Sequence, residues 1–168
     1  NAIYYVEDII RKEEPFSEWQ IRNIHQLILK NIDDDNAGRY RQQNVLISGA
    51  TSTPPDYTLL NDKMAQLVDW YNSEAHKLHP IERAAKVHAD FVGIHPFIDG
   101  NGRTSRLLMN LELLKAGYPP CVITVENRLA YYEALDQWMA YGKNEPFIQL
   151  VAEAVLEGFK PYQIILGI

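Results

Sequence analysis

The stretch His95-Pro96-Phe97-Ile98-Asp99-Gly100-Asn101-Gly102-Arg103-Thr104-Ser105-Arg106 separates two long apolar segments and decides how both are read. Upstream, Pro80 suits the first turn of a helix, and Ala84, Val87, His88, Phe91 and Val92 recur at helical spacing on one face. Pro96 disfavours the α conformation in the residue before it, so this helix is expected to end at His95. After the Gly100-Asn101-Gly102 bend a second helix is expected to start near Arg103. Its Leu107, Leu108, Met109, Leu111, Leu113 and Leu114 cover nearly the whole circumference, the pattern of a buried central helix. Gly117 and Pro119-Pro120 stop it.

Further out, the same periodicity continues. Ile3, Val6, Ile9 and Ile10 share a helical face that ends near Glu13-Glu14-Pro15. Ser17 and Gln20 have capping-box spacing ahead of the stripe Ile21, Ile24, Leu27, Ile28. Leu60, Met64, Leu67, Val68 and Tyr71 form another stripe, and two amphipathic segments follow at roughly 128–140 and 146–159. Between them, Val45-Leu46-Ile47 is short and β-prone, Ser48-Gly49 can turn, and Pro54-Pro55 cannot continue a helix, so a small β-hairpin flap is expected. The acidic run from Asp33 to Gly38 is not a calcium loop, because Ala37 and Asn44 stand where two ligands belong; it reads as a solvated turn. There is no βα repeat, long-period repeat or flexible linker. The expectation is one all-α domain over 1–168 with a minor β flap, and Asn1 suggests that further residues precede it.

Composition bounds the function. The 168 residues are 46% hydrophobic and 23% charged, the proportions of a globular protein. No apolar run approaches the roughly 20 residues that span a bilayer, so no membrane partner is expected. With 22 acidic against 16 basic residues and a net charge of −6, general or direct nucleic-acid binding is disfavoured. The lone Cys121 excludes an internal disulfide or a multi-cysteine zinc site, and with the absence of glycosylation sequons it points to the cytoplasm.

The twelve-residue stretch carries the chemistry. Glycines at 100 and 102 permit positive φ and close ligand approach, so backbone N–H groups can point into one concavity. The start of the next helix adds free N–H groups and the positive end of its dipole, a setting that welcomes phosphate. Arg103 and Arg106, three apart, can fork onto phosphate oxygens. Asp99 would repel phosphate directly but suits Mg²⁺, which binds through one or two carboxylates plus substrate phosphates. His95, with an ordinary pKa near ~6.5, can take a proton from a hydroxyl at neutral pH. These parts suit phosphoryl-type transfer. Among the other histidines, His88 continues the apolar stripe and reads as buried and structural, and His25 as partly buried.

The stretch resembles the Fic family signature, His-x-Phe-x-[Asp/Glu]-Gly-Asn-Gly-Arg-x-x-Arg, with every fixed position filled. Gly38-Arg39-Tyr40-Arg41 with Val45-Leu46-Ile47 is similar to the family's approach to its target-binding flap. Ile94 through Leu111 and Ala116-Gly117-Tyr118-Pro119-Pro120 resemble the animal Fic adenylyltransferases, and Pro146-Phe147-Ile148 the family's closing helix. The resemblance implies an all-helical fold and transfer of AMP from ATP to a Ser, Thr or Tyr hydroxyl of a protein substrate. By it His95 would be the base, Asp99 the Mg²⁺ ligand, and Gly100, Asn101 and Gly102 the anion hole, Asn101 bonding phosphate oxygens. Arg103 and Arg106 would hold the β- and γ-phosphates, Thr104 and Ser105 would belong to the nucleotide-binding stretch, and Tyr131 and Tyr132 would contact adenosine. Ile47, Ser48, Gly49 and Ala50 would be the flap that clamps the target by strand addition. Met139 stands where the animal enzymes place an adenosine-contacting Asn.

The resemblance leaves alternatives: transfer of another phosphate-containing group, removal of AMP, or a non-catalytic nucleotide sensor. Retained Gly102 favours an AMP donor over a Doc-like kinase. The family's inhibitory motif, [Ser/Thr]-x-x-x-Glu-[Gly/Asn], is expected outside this chain, since Glu153-Ala154-Val155-Leu156-Glu157-Gly158 lacks its first residue. Relatives often form homodimers, and an aromatic-rich N-terminal helix around Tyr4-Tyr5 is the expected contact.

Overall fold

A kink between two helices organises the molecule. The computed structural model describes residues 2–12 and 15–167. Pro80 opens helix α4 (Pro80–Ile94), capped by the His79 side chain, and α5 (Asn101–Lys115) follows after six residues. Around this pair stand α1 (Ala2–Lys12), α2 (Glu18–Leu29), α3 (Leu60–Ser73), α6 (Arg128–Tyr141) and α7 (Glu145–Leu166). Two single 3₁₀ turns, Tyr57–Leu59 and Ala75–Lys77, flank α3. None of the described helices is long and apolar enough to cross a membrane.

Helix α5 is central because its two faces feed two cores. Leu108 and Leu111 join Ile9, Phe16, Ile21, Ile24, Met64, Val87 and Phe91 on the side of α1–α3. Met109 and Leu113 join Ala84, Ala85, Tyr131, Leu135, Phe147 and Val151 on the side of α6 and α7. Each fully buried Leu or Phe contributes roughly 1.5–3 kcal/mol through removal from water, so this doubly buried helix holds both layers together. Its circumference is not wholly apolar, however. Glu112 is fully buried and receives the Tyr71 hydroxyl at 2.7 Å and Arg83 Nε at 2.9 Å. A buried carboxylate needs such donors, because removing one partner of a buried pair costs about 3–5 kcal/mol.

Several expectations change. Segment 39–56 is an irregular loop and not a β-hairpin: no strand occurs among the described residues. A two-stranded hairpin standing alone is marginal in water, and here side chains hold the loop in place of strand pairing. Asn44 Nδ2 donates to Asp56 at 2.8 Å, and Ala50 N–H closes a turn onto Ile47 O at 3.2 Å. Helix α5 starts at Asn101, two residues before the expected Arg103, and Gly102 is helical, so positive φ is needed only at Gly100. Leu114 faces solvent. Helix α7 runs seven residues past 159, through Pro161, with its last turns exposed. The side chains of Ile3 and Val6, and residue Asn1, lie outside the described residues. The 33–38 run is a turn held by Asp33 and Asp34 accepting backbone N–H groups of Asn36 and Asn31. Glu153 and Glu157 pair locally with Gln149 and Lys160, and Gly158 lies against Pro119.

His88, on the inner face of α4, is fully buried; its Nε2 shares a 2.8 Å hydrogen bond with the Tyr131 hydroxyl and its ring stacks on Phe147. Burial lowers its pKa to about 4. Between about pH 6.5 and 4 the unfolded chain therefore binds a proton that the folded chain refuses, and stability must rise with pH across that window, by about 3 kcal/mol in all. Chemical denaturation at half-unit steps from pH 7 to 4 should show this slope, and His88→Gln should lose about one proton's worth of it. An unchanged slope in the variant would contradict this account of His88.

Candidate active site

His95 ends α4 in the left-handed region, at φ 51 and ψ 58, which few non-glycine residues adopt. Its N–H caps the helix by donating to Phe91 O at 3.0 Å. The ring Nδ1 lies 3.3 Å from Val92 O. A carbonyl only accepts, so Nδ1 carries the proton and Nε2 presents a free lone pair. Burial, aided by the Arg41 charge, lowers the pKa of this imidazole below its ordinary value. The imidazole is thereby kept neutral, with Nε2 left to accept a hydrogen bond.

The bend after His95 is held from inside. The Asn101 side chain accepts from Phe97 N at 3.0 Å and donates to Phe97 O at 2.8 Å, closing residues 97–101 into a ring. One amide hydrogen and one oxygen lone pair of Asn101 thereby shape the loop, and the backbone N–H groups of α5's first turn remain for an anion. From the other side His25, fully buried, accepts Gly38 N–H at Nδ1 (2.9 Å), which makes Nε2 the donor to Asp99 O at 2.8 Å. The ring stacks on Phe97 at 3.5 Å between centroids. Gly100 has φ 80, and a Cβ there would come within 3.0 Å of His25 Nε2. Only glycine satisfies both.

The motif then divides by helical phase. Asn101, Thr104, Ser105 and Leu108 point inward, and the Thr104 and Ser105 side chains are fully buried. Ser105 Oγ donates to Gly102 O at 3.0 Å. Within the stretch expected to bind nucleotide, Thr104 and Ser105 thus form the packed side of α5's first turns. Gly102 and Arg106, one turn apart, face a cavity of about 400 Å³ with His95. Asp99 and Arg103, also one turn apart, lie on the outer edge and pair with each other at 2.8 Å, their side chains 65% and 41% exposed. Arg103 thus does not share the cavity with Arg106. Such an exposed pair contributes about 0–1 kcal/mol, so either partner exchanges readily for another ion.

Across the cavity stand Tyr131, Tyr132, Leu135, Asp136 and Met139 of α6, and over it the flap residues Ile47, Ser48, Gly49 and Ala50. The tyrosines divide as adjacent helical positions must: Tyr131 is 4% exposed and Tyr132 52%, their rings in edge contact at 5.1 Å. Burial pushes the Tyr131 hydroxyl up to about 12 against the pull of Arg106. Asp136 anchors the flap, receiving Thr51 N–H and Thr51 Oγ1 at 2.6 Å each. Sequence reasoning missed Asp136, although its place four and five residues after the tyrosine pair puts it on their side of α6. It also missed the roles of His25, expected to be only partly buried, and of Arg41, noted only within the approach to the flap; their partners lie 74 and 54 residues away.

Comparison with known proteins matches residues 15–113 to the Fic/DOC family. The chain is 43% identical over 153 residues to the protein adenylyltransferase Fic of Nematostella vectensis, covering 90% of this chain and 35% of that protein. It is 41% identical over 134 residues to the protein adenylyltransferase fic-1 of Caenorhabditis briggsae, covering 79% and 26%. It superposes on the solved Fic-1 of C. elegans with a TM-score of 0.84 at 32% identity, over 99% of this chain and 50% of that one. The chain thus spans about a quarter to a third of the length of these curated relatives.

The Gly100 bend can be tested by contrast. Gly100→Ala and Gly117→Ala both place a side chain at φ near 80, but only the former meets a neighbour. Gly117→Ala should cost the left-handed strain alone, roughly 1–2 kcal/mol, and Gly100→Ala measurably more in urea denaturation. Equal losses would contradict the close approach of His25.

Proposed function

This chain belongs to the Fic/DOC family, and we propose that it moves AMP from ATP to a Ser, Thr or Tyr hydroxyl of a target protein. The observation that carries this reading is the 3.3 Å contact of His95 Nδ1 with Val92 O, from which the tautomer of the ring follows. Its protonated Nδ1 is held by Val92 O, so an unprotonated Nε2 shares a cavity with Gly102 and Arg106 at the start of α5. A base beside an anion-receiving helix start is what hydroxyl attack on a phosphate needs.

In this reading the triphosphate lies over the first turn of α5, where free N–H groups and Arg106 stabilise charge that grows as the bond breaks. Nε2 of His95 takes the hydroxyl proton; the oxygen bonds to the α-phosphorus, and the bond from that phosphorus to the bridging oxygen breaks. Its electron pair leaves with pyrophosphate. The adenosine lies toward Tyr132, Leu135 and Met139, where the apolar wall excludes water. Met139 offers a thioether and no amide, so the base is held by packing more than by a hydrogen bond to its edge. The flap covers the nucleotide, and its unpaired backbone receives an extended target segment.

Mg²⁺ fits the donors present. Among the described residues no group of three His, Cys, Asp or Glu can hold a metal alone. Asp99 supplies a single exposed carboxylate, in keeping with a Mg²⁺ that takes its remaining ligands from substrate phosphates and water. When bound, the ion neutralises phosphate charge. Asp99 would hold it after releasing Arg103, which would then be free for the β-phosphate. The chain is in this view the catalytic part of a longer protein.

Incubation of lysate with the protein and Mg²⁺ should label a protein from α-³²P-ATP and not from γ-³²P-ATP. His95→Ala should reduce labelling by about 10²–10⁴-fold. Label from the γ position alone would overturn the reading in favour of a kinase, and undiminished labelling by the variant would remove His95 as base. Because the folded pKa of His95 lies below its ordinary value, the rate should be flat above neutrality and fall only on the acid side of about pH 6.5.

A further inference from the structure

The geometry points to Arg41 as a positioning residue that fixes the catalytic histidine and both feet of the flap to one another, a role that rests on the transferase reading of the site. Arg41 is 3% exposed. Its Nε donates to His95 O at 2.9 Å, Nη1 to Gln43 O at 2.8 Å and Nη2 to Pro55 O at 2.6 Å, while its backbone N–H donates to Pro96 O at 2.9 Å. Gln43 and Pro55 bracket the loop that carries Ile47, Ser48, Gly49 and Ala50 over the cavity. One planar guanidinium therefore sets the distance between the two feet and ties both to the residue that supplies the base.

Three features separate this from ordinary packing. First, among the described residues no carboxylate forms an ion pair with Arg41; a buried cation is instead satisfied by three neutral carbonyls, with Asp56 the carboxylate facing it. Burial of this kind is costly unless the bonds formed are good ones. Second, the carbonyl it holds belongs to a residue in the left-handed region, where the surrounding structure must over-determine the backbone. The bonds to His95 O and Pro96 O do that, and so aim the imidazole. Third, the guanidinium charge acts on the imidazole and helps to keep it neutral. The other charged or titratable groups around His95 are Arg106 from α5 and Tyr131, Tyr132 and Asp136 from α6. Lysine cannot replace this arrangement, since an ammonium is a point charge without the planar fork.

The test uses Arg41→Lys and Arg41→Gln beside the wild type. Hydrogen exchange of the segment 44–52 should accelerate at least about tenfold in both variants while the α4 and α5 cores keep their protection. AMP transfer should fall about 10–100-fold in both, as misplacement of a base does. The acid limb of the pH–rate profile should move upward in Arg41→Gln, which loses the cation, and stay in place in Arg41→Lys, which keeps one. Unchanged flap exchange in both variants, or an acid limb that does not move in Arg41→Gln, would overturn the proposal. Failure of Arg41→Lys to fold would overturn it too, by assigning Arg41 to the fold at large. Absence of AMP transfer by the wild type would reject the transferase reading, whereas the exchange experiment would still report on the clamp.

Discussion

Two hydrogen bonds between the Asn101 carboxamide and the peptide groups of Phe97 hold the turn on which the site depends. They let α4 end and α5 begin within six residues. The short connection sets a histidine at the close of one helix beside the open N–H groups of the next. His25 completes the turn from outside by bridging Asp99 O and Gly38 N–H, so that the approach to the flap is joined to the same bend. Remove the carboxamide and the loop loses its internal template; the Phe97 peptide, buried with it, would be left without partners, at a cost of about 1–3 kcal/mol for each group.

The electrostatics of the site follow from which helical face each residue occupies. Gly102 and Arg106 put a cation on the cavity side, the His95 imidazole stays neutral there, and Asp136, the one carboxylate among the described residues of the cavity wall, is occupied with Thr51. The inside is thus prepared for an anion. The outer edge carries Asp99 and Arg103, exposed and exchangeable, where a cation and a phosphate can replace the partners they now give each other. Burial is responsible for the neutral imidazole, exposure for the labile ion pair, and one loop delivers both.

The amino-acid pattern made the helices around the bend legible because their signals are local: a proline at the first turn of α4, a proline after its end, and apolar residues at helical spacing along α5. The division of labour inside the motif was also written there, in the run Asn101, Thr104, Ser105, Leu108, which continues the buried face of α5 backward. Placing the helix start at Arg103 hid its first member, since it left Asn101 outside the helix whose inward face that residue opens. The flap misled for a different reason. Val45-Leu46-Ile47 has strand composition but no neighbour to pair with, and Arg41, Asn44 and Asp136 hold the loop through side chains. His25 and Arg41 bond to backbone carbonyls far along the chain, and a carbonyl leaves no mark in a sequence.

The most direct test of the central claim is a crystal structure of the protein with Mg²⁺ and an ATP analogue whose α,β-bridge cannot be cleaved. The α-phosphate should lie at the mouth of the cavity facing His95 Nε2, with the polyphosphate crossing the first turn of α5 toward Arg106. A nucleotide seated elsewhere, such as the groove between Trp70 and Trp138, or an imidazole turned away from the phosphate, would contradict it.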